Sequence, residues 1–216
     1  MHLDNSEKND RACQCDNTIT VYGSGHVDAP PDIAKAIIGV ETTSEKISEA
    51  QRKNAMNIST IVTTLRKMGI KSENIQTVEY RVDEDYSFEN NTKVFLGYKV
   101  THRLSVVIEP VQKTGEILDA AVSSGANIIS GISFEVKQPN KYYNKALTKA
   151  IVEGSEKALT VAEAMRVPLP PVPHQIIERG SSPASARMLS DVQGTQIQPG
   201  QLTIAAQITM IYLLHT

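Results

Sequence analysis

The stretch Val21-Tyr22-Gly23-Ser24-Gly25-His26-Val27-Asp28-Ala29-Pro30-Pro31-Asp32 separates two runs in which apolar and polar residues alternate. Ile19 and Val21 belong to the first run, and Ala34 to Val40 continue the alternation in the second. A period of two is typical of strands with one buried face, and glycine and proline mark turns between them. The stretch therefore predicts a Gly-x-Gly turn and a Pro-Pro-Asp break that join two strands as a hairpin.

Outside this stretch, three segments carry apolar residues at helical spacing. The first is predicted to run from Ser44, as N-cap, to a stop at Gly69. A shorter amphipathic helix follows Val111 and closes at Gly125, and a long one runs from about Asn140 to Met165. The long helix has small residues on one side, which predicts close packing against its neighbour.

Further alternating runs predict the remaining strands. They cover residues 78–82, 96–108 after a turn at Asn90-Asn91, 132–136, 175–179 and 202–214. Strands with one polar face are typical of antiparallel sheets. The predicted fold is therefore α+β, in two layers, with a largely antiparallel or mixed sheet of about seven strands and three helices on one face.

Composition narrows the class of protein. The 216 residues are 40% hydrophobic and 21% charged, with a formal net charge of −2. We expect a flexible leader over residues 1–17 and a single domain over residues 18–216. Lysine and arginine are scattered, which argues against nucleic acid as a partner.

Hydropathy bears on location. No stretch reaches the about 20 apolar residues of a membrane span, so no transmembrane segment is predicted, although peripheral membrane association stays open. The polar leader lacks the apolar core of an export signal. The chain as given is therefore expected in the cytoplasm, with removal of an export signal as the alternative.

Several short motifs follow the opening stretch in a fixed order. They are Tyr98-x-Val100, Leu118-Asp119-x-Ala121, Gly125-Ala126-Asn127, Gly131-Ile132-x-Phe134, Ala146-x-x-x-Ala150, Lys157-Ala158-x-x-x-Ala162 and Pro199-Gly200. The ordered set, from Thr18 to about Leu214, resembles the SIMPL family, also called domain of unknown function 541, found in periplasmic and outer-membrane-associated bacterial proteins. The resemblance implies a non-enzymatic, oligomerising or interaction protein linked to envelope integrity, oxidative-stress tolerance or signalling. Many members of the family are exported.

Candidate catalytic and metal-binding groups are few. Ser24, His26 and Asp28 alternate, but side chains two apart on a strand stand about 6.5–7 Å apart at their roots, too far for a catalytic triad. Gly23-x-Gly25 lacks the helix start that a phosphate loop needs, because Pro30-Pro31 follows it. We therefore assign no catalytic residue and no cofactor.

Cysteine and histidine offer the remaining ligands. Cys13 and Cys15 suit a soft metal or a redox pair, but a zinc site needs two more ligands, and we expect two exposed thiols instead. His102 falls on the apolar face of its strand, which predicts a hydrogen-bonded core histidine. We therefore assign no metal ligand.

The polar face of the predicted sheet leaves two alternatives open. It carries Glu79, Arg81, Lys99, Thr101 and Arg103. It is either a solvated surface or the lining of a cavity or subunit contact. The alternative function is therefore a small-molecule, metal or lipid-binding protein that uses this face or the loop of residues 166–200.

Strand length predicts self-association. The strands at 95–109 and 202–214 exceed the usual length, and a long, bare sheet edge invites pairing with another chain. We therefore expect a homo-oligomer.

Overall fold

The structure is a computed structural model that describes residues 17–89, 92–180, 186–187 and 200–214. Leader residues 1–16 with both cysteines, the predicted turn at Asn90-Asn91, and residues 181–185 and 188–199 of the loop of residues 166–200 lie outside the described residues. The helices and strands run β1 (Thr18–Ala29), β2 (Ile33–Ser44), α1 (Ile47–Lys67), β3 (Ile75–Glu89), β4 (Thr92–Ile108), α2 (Thr114–Ser123), β5 (Ile128–Glu135), α3 (Pro139–Met165), β6 (Gln175–Glu178), β7 (Ala186–Arg187) and β8 (Leu202–Leu213). Single 3-10 turns cover Ser72–Asn74 and Val111–Lys113.

The described residues divide into two compact units. The first comprises residues 17–27, 143–180 and 205–214, and the second comprises residues 28–142, 186–187 and 200–204. The single domain predicted for residues 18–216 stays a prediction, because two compact units can belong to one folding domain.

The second unit is built on an antiparallel sheet of order β3-β4-β2-β5-β7. Helices α1 and α2 pack on it because both present an apolar stripe. The alternation in β2 buries Ala36, Ile38 and Val40 on the helix side. The largest fully buried side chains of this core are Ile38, Ile61, Leu65, Ile108, Ile117, Leu118 and Phe134.

The first unit is built on a sheet of order β1-β8-β6. Helix α3 buries a small residue at every fourth position against it: Ala146, Ala150, Gly154, Ala158 and Ala162. The sheet contributes Ile19 and Val21 from β1 and Ile208, Met210 and Tyr212 from β8 to the same core. The small-residue side that the sequence predicts for this helix is therefore its packing face.

The α+β class, the antiparallel strands and the three helices are confirmed. The strands are divided between two sheets, with α1 and α2 on one and α3 on the other. The hairpin predicted for the opening stretch is wrong, because β1 pairs with β8 while β2 pairs with β4 and β5. Gly23 and Gly25 lie inside β1, and the chain breaks only at Pro30–Asp32.

The predicted glycine lies at the C-terminal end of α1, but the predicted serine is not its N-cap. Gly69 has a φ of +94°; its N–H donates to the Arg66 carbonyl, and the Ile70 N–H donates to the Leu65 carbonyl. These two bonds form a Schellman motif, so the helix stops at the glycine that the sequence predicts. Ser44, predicted as N-cap, is instead the last residue of β2, and α1 begins at Ile47 after Lys46. The Ser44 hydroxyl donates to the Glu49 carboxylate, 3.1 Å away.

Candidate functional site

The open edge of β1 is bonded by three charged side chains of α3. The Lys157 ammonium donates to the Tyr22 carbonyl at 3.0 Å, and the Lys149 ammonium donates to the His26 carbonyl at 3.1 Å. Between them, the Ser24 N–H donates to the Glu153 carboxylate, and the Ser24 hydroxyl donates to the same oxygen at 2.9 Å. We call Lys149, Glu153 and Lys157 the charge row.

The charge row meets the strand because the two repeats nearly coincide. Four residues of an α-helix rise about 6.0 Å, and two residues of a strand rise about 6.6 Å. Side chains at every fourth position of α3 therefore reach every second residue of β1. The chain directions are opposed, since Lys157 reaches Tyr22 and Lys149 reaches His26.

Gly23 and Gly25 allow this close approach. A Cβ atom on Gly23 would lie 2.0 Å from the Ala150 carbonyl oxygen, and one on Gly25 would lie 2.0 Å from that of Ala146. Neither glycine has a positive φ. The prediction that they form a turn is therefore wrong: they are required because the helix backbone occupies the space of a side chain.

A shallow groove follows β1 and α3. One cavity of about 350 Å³ is lined by Ser24, His26, Lys149 and Val152, and a second of about 620 Å³ is lined by Tyr22, Lys157, Thr160 and Val161, among others. Glu153 and Glu156 line both. The groove combines charged groups with exposed apolar side chains.

The structure does not assemble Ser24, His26 and Asp28 into a catalytic group. The Ser24 hydroxyl bonds to Glu153, and the Asp28 carboxylate accepts a bond of 2.7 Å from the Thr203 hydroxyl. His26 takes part through its backbone carbonyl. A nucleophilic serine is activated by an adjacent general base, most often an imidazole or an amine, and here its partner is a carboxylate.

The electrostatics of Glu153 point the same way. The Ser24 N–H, the Lys157 ammonium and the Ser24 hydroxyl, in that order of effect, lower the pKa of the Glu153 carboxyl to about 2. A carboxylate that is ionised far below neutral pH is poorly matched to general acid or base catalysis near pH 7. Glu153 therefore acts here as a fixed negative charge and a hydrogen-bond acceptor.

The polar face predicted from the sequence is a network of ion pairs on β2, β3 and β4. Arg103 pairs with Glu79 at 2.9 Å, and Arg81 pairs with Asp83 at 2.6 Å. Lys99 lies 3.7 Å from Glu41 and 3.9 Å from Asp85, while Thr101 is buried. Glu41 and Asp85 are not predicted from the sequence, because their partners follow only from the strand register. Because the charges largely pair with one another, this face offers little free charge to a ligand.

His102 is half-buried beside β3. Its Nε2 lies 3.1 Å from the Thr77 hydroxyl, and its ring meets the edge of Tyr80 at a centroid distance of 5.3 Å. Burial lowers the pKa of its imidazole. Within residues 17–180, 186–187 and 200–214, apart from 90–91, no three His, Cys, Asp or Glu side chains are grouped to hold a metal.

Strands β3 and β4 continue beyond the end of β2, where Ser44 pairs with Tyr98. From Asp85 onwards in β3, and before Tyr98 in β4, the two strands pair only with one another in the described residues. We call residues 85–89 and 92–97 the arm; in the described part of the chain no other strand adjoins it. A register shift at Leu96 interrupts the alternation predicted for β4, because Gly97 pairs with Asp85 and Phe95 with Tyr86.

The arm exposes apolar and aromatic side chains. Val94, Phe95 and Leu96 are 37%, 46% and 52% exposed. Phe95 lies edge-on between Tyr86 and Tyr98, with centroid distances of 5.5 and 5.4 Å. The Lys93 ammonium lies 3.6 Å from the centre of the Tyr86 ring.

Most motif residues occupy structural positions. Gly125 has a φ of +103° and ends α2, and the Asn127 side chain bonds both the N–H and the carbonyl of Glu41, at 2.7 and 2.8 Å. Leu118, Ala121, Phe134, Ala146, Ala150, Ala158 and Ala162 are buried. These motifs therefore specify packing and helix ends.

Taken together, these observations define an α+β protein with two antiparallel sheets, in which most of the ordered motifs occupy packing positions and helix ends. The chain belongs to the SIMPL family, proteins of unknown function (DUF541), whose model matches residues 19–212. None of the helices in the described ranges is long and apolar enough to cross a membrane.

Three relatives of the chain are bacterial proteins. It is 27% identical over 154 residues to the uncharacterized protein YggE of Escherichia coli K12, covering 71% of this chain and 63% of YggE. It is 28% identical over 156 residues to the 26 kDa periplasmic immunogenic protein of Brucella melitensis, covering 70% and 62%. YggE of Edwardsiella ictaluri is 24% identical over 155 residues, covering 71% and 65%. The chain thus spans slightly less than two thirds of each relative.

Proposed function

We propose that this protein is a non-enzymatic interaction protein that assembles with copies of itself through the arm. The observation that carries the proposal is the exposure of Val94, Phe95 and Leu96 on β4, in a pair of strands that has no further described neighbour. An isolated pair of strands is marginally stable in water, and exposed apolar side chains favour burial in an interface. Burial of these three side chains against another copy satisfies both conditions.

Self-association is proposed through the arm and not through the edges of the strands predicted at 95–109 and 202–214. Strand β4 lies between β3 and β2, and β8 lies between β1 and β6, so both long strands are internal to their sheets. Self-association is still expected, but the strand segment without a further described neighbour is the part of β4 that extends past β2.

One relative bears on where this protein acts in the cell. The Brucella melitensis relative is named as periplasmic, which supports a place in the cell envelope for this chain. We infer that its assembly serves envelope integrity, tolerance of oxidative stress or signalling, as the family resemblance implies. The cytoplasmic location expected from the leader has no such support.

A carrier of a small molecule, metal or lipid is the alternative. The polar sheet face favours it less, because Glu79, Asp83 and Glu41 already pair with neighbouring cations. The groove along β1 is open and partly occupied by the charge row.

Light scattering on two variants tests the assembly. We expect the parent to have a mass above the 23.6 kDa of one chain, and the double variant Phe95→Lys/Leu96→Lys to fall to that mass. Met56→Lys, which adds a lysine at an exposed position of α1, is the matched control and should keep the parent mass. A parent that measures 23.6 kDa at micromolar concentration would contradict the proposal.

A further inference from the structure

We propose that the charge row closes the edge of β1 to the addition of a strand from another chain. An edge strand presents unpaired N–H and C=O groups, which are a template for pairing. β1 is twelve residues long and lies at the edge of its sheet. The inference concerns this edge alone and does not depend on assembly through the arm.

The charge row occupies three successive backbone positions of that edge. Tyr22, Ser24 and His26 share one side of the strand, and each has a backbone group bonded to α3. A strand that paired with β1 would need these groups for its own hydrogen bonds. It would have to displace all three bonds.

The chemistry of each contact matches the backbone group that it meets. The two lysines donate to the carbonyls of Tyr22 and His26, and the carboxylate of Glu153 accepts from the Ser24 N–H. Hydrogen bonds with one ionised partner are roughly twice as strong as neutral ones. The Lys157 ammonium also pairs with Glu153 at 3.0 Å, so the row is bonded along the helix as well as to the strand.

The position of the row is set by the packing of the helix. The backbone of α3 touches β1 at Gly23 and Gly25, which places the fourth-residue repeat of the row opposite the second-residue repeat of the strand. The other edge of this sheet, β6, has only four residues. Very short edge strands are poor templates. The two edges are therefore protected in different ways, one by charge and the other by length.

Glu153→Ala tests the inference, with Glu156→Ala as the matched control. Both changes remove one carboxylate from the same helix and groove and place no new charge beside the edge, but in the described residues the Glu156 carboxylate bonds to no part of β1. Both are made in the Phe95→Lys/Leu96→Lys background, which removes the arm contact. If the arm proposal is wrong, that background keeps the parent mass and the comparison still stands.

Two measurements decide the outcome. Light scattering should show at least a twofold rise in mass for Glu153→Ala and none for Glu156→Ala. Hydrogen exchange of the peptide covering residues 18–29 should slow in the associated Glu153→Ala variant, since strand addition protects its amides. Glu153→Gln keeps an acceptor for the Ser24 N–H and should keep the background mass.

Two results would overturn the inference. One is an unchanged mass for Glu153→Ala at concentrations up to about 100-fold above those used for the parent. The other is association accompanied by faster exchange over residues 18–29, which would mean that β1 had unfolded and that the edge was not the contact.

Discussion

Gly25 lies so close to Ala146 that a Cβ atom on the glycine would stand 2.0 Å from the alanine carbonyl oxygen. The contact joins the middle of β1 to the small-residue face of α3, and Gly23 repeats it with Ala150. A strand with side chains at both positions would push the helix away and move the charge row out of reach of the edge. The glycines of the opening stretch therefore allow α3 to pack closely on β1, and this packing keeps the charge row within reach of the strand edge.

Gly25→Ala should destabilise the protein by about 1–3 kcal/mol, since an added methyl forces backbone to move in a filled site. Gly200→Ala is the matched control, because nothing lies within 4 Å of the position that its Cβ would take. Urea denaturation followed by circular dichroism measures both. Equal unfolding free energies for the two variants would contradict the close packing of β1 and α3.

Arg166→Gly should stabilise the protein by about 0.5–1 kcal/mol. Arg166 follows α3 with a φ of +56°, where the N–H of Val167 bonds to the Ala162 carbonyl as in a glycine-ended helix. A residue with a side chain is strained there by about 1–2 kcal/mol, and the greater freedom of glycine in the unfolded chain offsets part of the gain. Lys67→Gly, inside the last turn of α1, should instead lower stability by about 1 kcal/mol. Thermal unfolding of both variants checks the opposite signs.

Asn54→Leu should cost about 1–3 kcal/mol, although it adds an apolar side chain to a buried position. Asn54 is 1% exposed, and its amide donates to the carbonyls of Val40 and Val100 at 3.0 and 3.1 Å. The substitution removes that donor from two adjacent strands. Ser59→Leu, at an exposed position of α1, should change stability by less than about 0.5 kcal/mol. A neutral Asn54→Leu would mean that these carbonyls do not need the amide.

Local signals in this sequence predict its structure better than its long-range pairings can be predicted. Helix α3 was predicted within a residue of its start and at its end, because periodicity and small residues are local signals. The hairpin was wrong because the partner of β1 is β8, which begins at Leu202, and no local pattern names a partner so distant. The charge row was missed for the same reason. Charged residues spaced by four are common on helices, and their contact with the edge of β1 can be recognised only once the strand and the helix are placed together.

Stability should depend on pH through His102. Burial lowers the pKa of its imidazole in the folded protein below the 6.5 of an unperturbed histidine. Below pH 6.5 the unfolded chain therefore binds the proton more readily, so stability falls as the pH falls from 6.5 towards the folded pKa and is constant above 6.5. His102→Gln removes this titration while keeping a polar group near the Thr77 hydroxyl. Urea midpoints between pH 5 and pH 8 should show a steeper acid loss for the parent than for the variant. Parallel curves would mean that His102 titrates equally in both states and is not buried enough to matter.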